Sequence, residues 1–427
     1  MKYYILLSML ALLAVAFATP TGWTNDIAIG EGNFASIDLD SSGDVHMAWR
    51  DSGNLMYAKI KGNASRDILV PAIQVFDNCY DDEMHIDIDV DSDGNPHIVW
   101  ANETSRYNSF YVKLDGSDGT NLTDITKIDP PAGHWYIYTC AIDTDASKDA
   151  HIFCHVSDGA ATWEGSYIKI NDTDTSEVFK TKPTVALTNN NAYVDMEIDS
   201  DGNAHVTSRT AAGPYYYGKF NGTDGSMIRE VNIEAANLPL TSNIRVGQDD
   251  HAVVMFHNGG AWHPRFVKIN GSDGTNIVAP KAIVDGFVFF GARRPLDLNS
   301  TGWSYIVFEA SNHAYLMQLD PTGNNVTDAI DIGVAGSPQY GSLALHTDDE
   351  VHLAYYNSNT GNMTYRRTDT VDPTNENITP APQYYNATIT WETTEPCNFT
   401  FYYWSSPVQN ETNSSYGTSH SVTFINL

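Results

Sequence analysis

Basic residues are scarce in this chain of 427 residues: 23 lysines and arginines stand against 53 aspartates and glutamates, for a formal charge of −30. A surface of that sign repels nucleic acid and anionic membranes, so neither is expected as a partner. Cysteine is scarce too. Four cysteines cannot give so long a chain a disulfide framework, so a large apolar core must carry stability. Past the first twenty residues no apolar run is long enough for a transmembrane segment, and no stretch has the 3.6-residue period of an amphipathic helix. Catalytic motifs are missing as well. There is no Ser-His-Asp nucleophile elbow, no phosphate-cradling glycine loop and no His-Glu-x-x-His zinc pair. These absences lean the reading away from an enzyme.

The one long apolar run is N-terminal, in "MKYYILLSMLALLAVAFATP". Lys2 precedes it and the small-residue triplet "AFA" ends at Ala18. Residues 1–18 therefore read as a secretory signal peptide, which places the mature protein outside the cell or on its surface. Fourteen Asn-x-Ser/Thr sequons agree with that address. Those before residue 370 are Asn63, Asn102, Asn121, Asn171, Asn221, Asn270, Asn299, Asn325 and Asn362. They read as glycosylation sites, although polar turns rich in Asn, Ser and Thr produce the same triplets.

What the chain has in abundance is a repeat. A block of the form hydrophobic-Asp-hydrophobic-Asp, polar turn, His, hydrophobic strand occurs seven times, as in "IDLDSSGDVHMAW" (37–49) and "IDVDSDGNPHIVW" (88–100). Its landmarks are His46, His97, His151, His205, His251, Tyr305 and His352, at spacings of 51, 54, 54, 46, 54 and 47 residues. Each block runs on into "Y-x-K-I", a Gly/Asp turn and a further strand. Four short strands per unit and seven units predict an all-β fold, a seven-bladed β-propeller over residues 19–370. The last unit lacks its fourth strand, and residues 23–30 match one, so the N-terminal strand is expected to close the ring.

Hairpin arithmetic makes Asp38/His46, Asp89/His97, Asp143/His151, Glu197/His205 and Asp297/Tyr305 cross-strand neighbours. They are expected to hydrogen-bond between blades as a repeated structural staple, or to ligate a metal at the axis. The same sum places Cys140 opposite Cys154, so these two are expected to form a disulfide.

The turns "DVDSDGNPH" and "EIDSDGNAH" resemble repeats of bacterial and archaeal propellers of the sialidase-like (BNR, Asp-box) and NHL kinds. "GSDGT" (116–120 and 271–275) matches part of an Asp box, without its final tryptophan. The resemblance implies a propeller, with the Asp box as a structural turn. "DVDSDG" (89–94) also looks like the start of a calcium loop, with Asp89, Asp91 and Asp93 as ligands, or else is a tight Asx/Gly turn. Calcium is the one cofactor this suggests. Residues 383–427 resemble part of a fibronectin type III-like domain, marked by Trp391 and "SHSVTFINL", behind a Pro/Asn-rich linker (371–382).

Blade topology sorts the loops onto two rims. The first rim holds the turns between first and second and between third and fourth strands. The second holds the remaining loops. Most propeller sequons fall on the first rim, so the second is expected to be the freer surface. Arg50, Arg209, His155 and Glu309 share one blade position there, with Trp262, His263 and Arg293 in nearby loops. Arginines and exposed aromatics suit a sugar or an acidic ligand. The resulting reading is a secreted or cell-surface glycoprotein whose propeller binds a carbohydrate or protein ligand. The alternatives are a sialidase-like glycoside hydrolase, with Arg50, Arg209 and Arg293 as a carboxylate clamp, and a structural surface-layer or adhesion component.

Overall fold

The computed structural model describes residues 22–24, 26–63, 65–77, 79, 86–101, 108–159, 163–182, 194–209, 215–234, 242–258, 263–283, 294–310, 313–326, 329–332, 338–346, 350–369, 375–382, 386–403 and 409–425. The signal-peptide region, Asn102, Trp262 and Arg293 lie outside the described residues. Among the described residues no helix is long and apolar enough to cross a membrane.

Seven antiparallel sheets build a seven-bladed β-propeller. The innermost strands are Asn33–Leu39, Ile86–Val90, Tyr136–Thr144, Asp195–Ile198, Ser242–Val246, Leu296–Leu298 and Pro338–Leu345. Each touches the next around the axis, and the seventh touches the first. In blades one to six the four strands follow chain order outward. Blade seven takes its outermost strand from the N-terminus: Ile27–Glu31 pairs antiparallel with Asn362–Tyr365. Inside the ring, the Ile37 N–H donates to Ser342 Oγ at 3.1 Å, joining first blade to last. The N-terminal strand covers what would be the outer edge of blade seven.

Burial follows from stacking blades face to face. The second strands Pro96–Ala101 and Ala150–Ser157 are buried at every residue, because both of their faces meet a neighbouring blade. The outermost strand Ile68–Phe76 is largely exposed. The core is a series of seams between adjacent blades. Ile37, Met47 and Trp49 pack with Ala344, Met363 and Tyr365 between blades one and seven. Phe153 packs with Val194, Met196 and Phe220 between blades three and four. Truncating one such aliphatic side chain to alanine costs about 2–5 kcal/mol. Cys140 and Cys154 are paired across the first two strands of blade three and form a disulfide.

Residues 25–367 form one compact unit and the rest of the chain another. In the second unit Asn375–Pro382, Asn386–Tyr403 and Gln409–Ile425 form a three-stranded antiparallel sheet. Residues 375–382, read from sequence as linker, pair with the Ala387–Thr393 stretch as a strand.

Candidate functional site at the propeller axis

The expected cross-strand register is present: Asp38 faces His46, Asp89 faces His97, Asp143 faces His151, Glu197 faces His205 and Asp297 faces Tyr305. The hydrogen bonds run differently from the expectation. In blade four His205 Nε2 lies 3.0 Å from Asp199, six residues away rather than eight, and the Tyr217 hydroxyl lies 2.8 Å from Nδ1. Lys219 adds an ammonium 2.6 Å from the same Asp199 oxygen. The set recurs as His46–Asp40–Tyr57–Lys59, His97–Asp91–Tyr111–Lys113 and His151–Asp145–Tyr167–Lys169.

These histidines are fully buried. Burial pushes His46, His151 and His205 below the usual imidazole range despite the carboxylate beside each. Neutral imidazoles donating to Asp and accepting from Tyr fit that environment. Burial also works against ionising Asp40, Asp145 and Asp199, but hydrogen bonds from His and Lys outweigh it and hold all three well below the usual carboxylate range.

The tyrosines and lysines were visible in sequence only as a strand motif. Covariation within the chain reveals their role. Where His gives way to Val253 in blade five, the tyrosine position holds Phe266. Where it gives way to Tyr305 in blade six, the position holds Leu316, and Gln318 donates to the Tyr305 hydroxyl at 2.8 Å. His251 was misplaced as a landmark. It closes the turn by accepting the Gly247 N–H, and Val253 is the residue that faces Arg245 in the histidine position.

The acidic residues eight before the histidine position turn to the axis. There they bridge blades through backbone rather than through histidine. Asp38 accepts the Val90 N–H, Asp89 accepts Thr144, Asp143 accepts Ile198 and Asp297 accepts Leu345. One step deeper, Asp87 accepts the Ile142 N–H and Asp195 accepts Ile244. Among the described residues, two arginines are set among these six carboxylates and Glu197. Arg294 Nε donates to Asp87 at 3.1 Å and its Nη2 to the Ile142 carbonyl. Arg245 lies within 3.6 Å of Asp195, Glu197 and Asp297.

The deeper carboxylates are closed off: the Asp87 side chain is 0 % exposed. On the level nearer the first rim, the side chains of Asp38, Glu197 and Asp297 are 24 %, 28 % and 24 % exposed. This level is an acidic mouth with Arg245 in it. Burial and mutual repulsion raise Asp38 and Asp143 well above the usual range. Burial raises Asp297 and pushes Glu197 up to about 8, with Arg245 opposing it.

The other sequence candidates whose side chains are described stand at separate places. Asp89 reaches Thr144, Asp91 is held by His97 and Lys113, and Asp93 pairs with Lys148 at 2.7 Å. The three carboxylates thus have separate partners, with a lysine ammonium beside Asp91 and another beside Asp93. Among the described residues, Asp91, His97 and Asp172 bring ligand atoms together, but Lys113 sits between the two carboxylates. His155 is fully buried in its strand, which takes it off the rim. Arg50 and Glu309 are half-buried at equivalent places in blades one and six. Arg209 and His263 lie in strands described by their backbone alone, and Arg294 is 7 % exposed at the axis.

No protein-family model and no curated protein matches the chain. Solved structures do resemble it. An ulvan lyase of polysaccharide lyase family PL25 superposes with a TM-score of 0.53 at 11 % identity, over 80 % of this chain and 95 % of that one. The BP39L lectin from Burkholderia pseudomallei gives 0.51 at 8 % identity, over 86 % and 97 %. A puromycin hydrolase gives 0.50 at 11 %, over 85 % of this chain, which spans 58 % of the hydrolase. At such identities the likeness establishes the propeller fold.

Proposed function

We propose that this is an extracellular binding module that takes a neutral or amino sugar at the acidic axial mouth. The observation that carries the reading is the half-open set of axial carboxylates: Glu197 and Asp297 beside Arg245, and Asp38 beside Arg294. Paired carboxylate oxygens accept two hydroxyls of one sugar ring, and a carboxyl held protonated by its surroundings donates as well. The excess of negative charge disfavours uronic and sialic acids, so the arginine-clamp reading suggested by Arg50, Arg209 and Arg293 gives way to this one. A lectin and ulvan lyases use the same fold, which makes carbohydrate a reasonable class to test. The signal sequence and sequons support an exported protein, and the C-terminal sheet is read as its fibronectin-like companion module. A glycan array probed with the full chain, alongside Glu197→Gln and Asp297→Asn, tests the reading. Binding to neutral or amino glycans that falls at least tenfold in both variants is expected. Binding confined to sialylated or uronic glycans, or none at all, overturns it. Shortened glycans appearing on the array would instead make Glu197 a general acid, the second reading its raised pKa favours.

A further inference from the structure

Six of the eight large hydrophobic side chains exposed on the described residues occupy one equivalent position. In blades one to six the hairpin between third and fourth strands closes with a backbone bond to Asp67, Thr120, Ser176, Ser226, Thr275 and Asn324 respectively. Two residues further on stand Leu69, Leu122, Val178, Ile228, Ile277 and Val326, each between 44 % and 49 % exposed. A position that faces water in six blades and is aliphatic in all six calls for a cover.

The same hairpins carry one sequon each, and not always at the same place. In blades three, four and five the sequon asparagine opens the turn. The Oδ1 of Asn270, for example, accepts Ser272 N–H at 2.9 Å and the Ser272 hydroxyl at 2.7 Å. In blades two and six an aspartate does that work: Asp115 accepts the same two groups of Ser117 at 2.8 and 2.6 Å. Asp320 does likewise for Thr322. Turn chemistry thus needs an oxygen and not an asparagine. Yet where aspartate takes the turn, the sequon reappears beside the aliphatic residue, as Asn121-Leu122-Thr123 and Asn325-Val326-Thr327. Blade one has Asn63 inside its longer turn. Blade seven takes its fourth strand from the N-terminus, so it has no such hairpin, and Ile27–Glu31 carries no sequon. Asn299 differs from this set, because its Oδ1 closes a first-to-second-strand turn.

We propose that Asn63, Asn121, Asn171, Asn221, Asn270 and Asn325 each carry an N-linked glycan whose first sugars lie over the neighbouring exposed aliphatic side chain. The result is a girdle of six glycans around the outer strands. In the transfer, asparagine Nδ2 attacks the anomeric carbon of a lipid-phosphate-linked oligosaccharide. The C–O bond to phosphate breaks, the lipid phosphate leaves and Nδ2 loses one proton. Asn325 Nδ2, 3.2 Å from the Ile283 carbonyl, keeps its second hydrogen for that bond. The apolar face of a pyranose suits a lone aliphatic side chain, and the periodic covering keeps neighbouring copies from pairing along the outer strands.

The inference rests on the exported state and is independent of what the axis binds. The full chain secreted from an N-glycosylating host is digested and its glycopeptides are mapped by mass spectrometry. It is then compared in size-exclusion chromatography with a variant carrying asparagine-to-glutamine changes at all six positions. Sugar on all six hairpin peptides is expected, with concentration-dependent self-association of the variant. Serine at Leu69, Leu122, Val178, Ile228, Ile277 and Val326 should return that variant to a monomer without sugars. Bare hairpin peptides in a secreted protein whose other sequons are occupied overturn the proposal. Occupied hairpins with a variant that stays monomeric overturn the covering role. Retention inside the cell overturns the exported state and this inference with it, whatever the array shows.

Discussion

Two sets of carboxylates sit two residues apart, one at the end of each inner strand and one just past it, and they titrate in opposite directions. Asp38, Asp143 and Glu197 face the axis and are raised; Asp40, Asp145 and Asp199 open the following turns and are lowered. Sequence treats each couple as one motif. The difference lies in the neighbours. A turn carboxylate meets a lysine and a histidine of its own blade, whereas an axial carboxylate meets the axial carboxylates of other blades, with Arg245 and Arg294 shared among them. A repeated acid is stabilised when its partner repeats with it and destabilised when only the acid does.

Removing the repeated partner should give the largest effect. Asp199→Ala strands the Lys219 ammonium and the His205 ring in a buried site, and a loss of about 3–5 kcal/mol is expected in urea unfolding at pH 7. Glu197→Gln, two residues earlier, removes a charge the axis resists and should leave stability unchanged or raise it at pH 8 to 9. Equal losses in the two variants would erase the distinction.

The pH dependence of wild-type stability sharpens the comparison next. Lowered acids bind protons more weakly folded than unfolded, so the stability from Asp40, Asp145 and Asp199 is present above their ordinary value of 3.8 and is lost as pH falls toward their depressed values. Raised acids act in reverse. The contribution of Glu197 is present below its ordinary value of 4.5 and is lost as pH rises through about 8. Urea midpoints measured from pH 3 to 9 should therefore peak between these limits. In Glu197→Gln the alkaline decline should shrink while the acid limb stays in place. An unchanged alkaline limb would remove Glu197 from the axial set.

Blade five offers a smaller and more local test, because it has already replaced the histidine network with Val253 and Phe266. Tyr217→Phe in blade four should cost about 1–3 kcal/mol, since His205 Nδ1 loses its donor. Combining it with His205→Val copies blade five, and the pair should cost about 1 kcal/mol less than the sum of the single changes. Strict additivity would mean that tyrosine and histidine are not coupled.

The blade count, the closing strand and the hairpin register were legible in the sequence because the repeat is long and a strand has period two. Hydrogen-bond partners were not. Register says that Asp143 faces His151, but the choice between that aspartate and Asp145 depends on which lysine and tyrosine arrive from the third strand. His251 misled for a related reason. Blade five keeps the length of the turn but moves its histidine two places, and a landmark letter is weaker evidence than the position facing it. The axial mouth escaped sequence reading because Arg245 breaks the acidic pattern and Arg294 lies outside the repeated block.

The smallest expected effect separates a turn from a calcium loop. Asp93 pairs with Lys148 at the surface, and its side chain is 58 % exposed, so Asp93→Ala should change stability by about 0–1 kcal/mol. A bound ion would behave otherwise, since a ligand that binds only the folded chain stabilises it in proportion to the logarithm of its concentration. With Lys113 and His97 already on Asp91, the unfolding midpoints of wild type and Asp93→Ala should be equally indifferent to a change from chelator to millimolar calcium. A calcium-dependent rise in wild type that vanishes in Asp93→Ala would show that the turn acids release their lysine partners to hold an ion. The contrast between paired turn acids and crowded axial acids would then have to be redrawn around that metal.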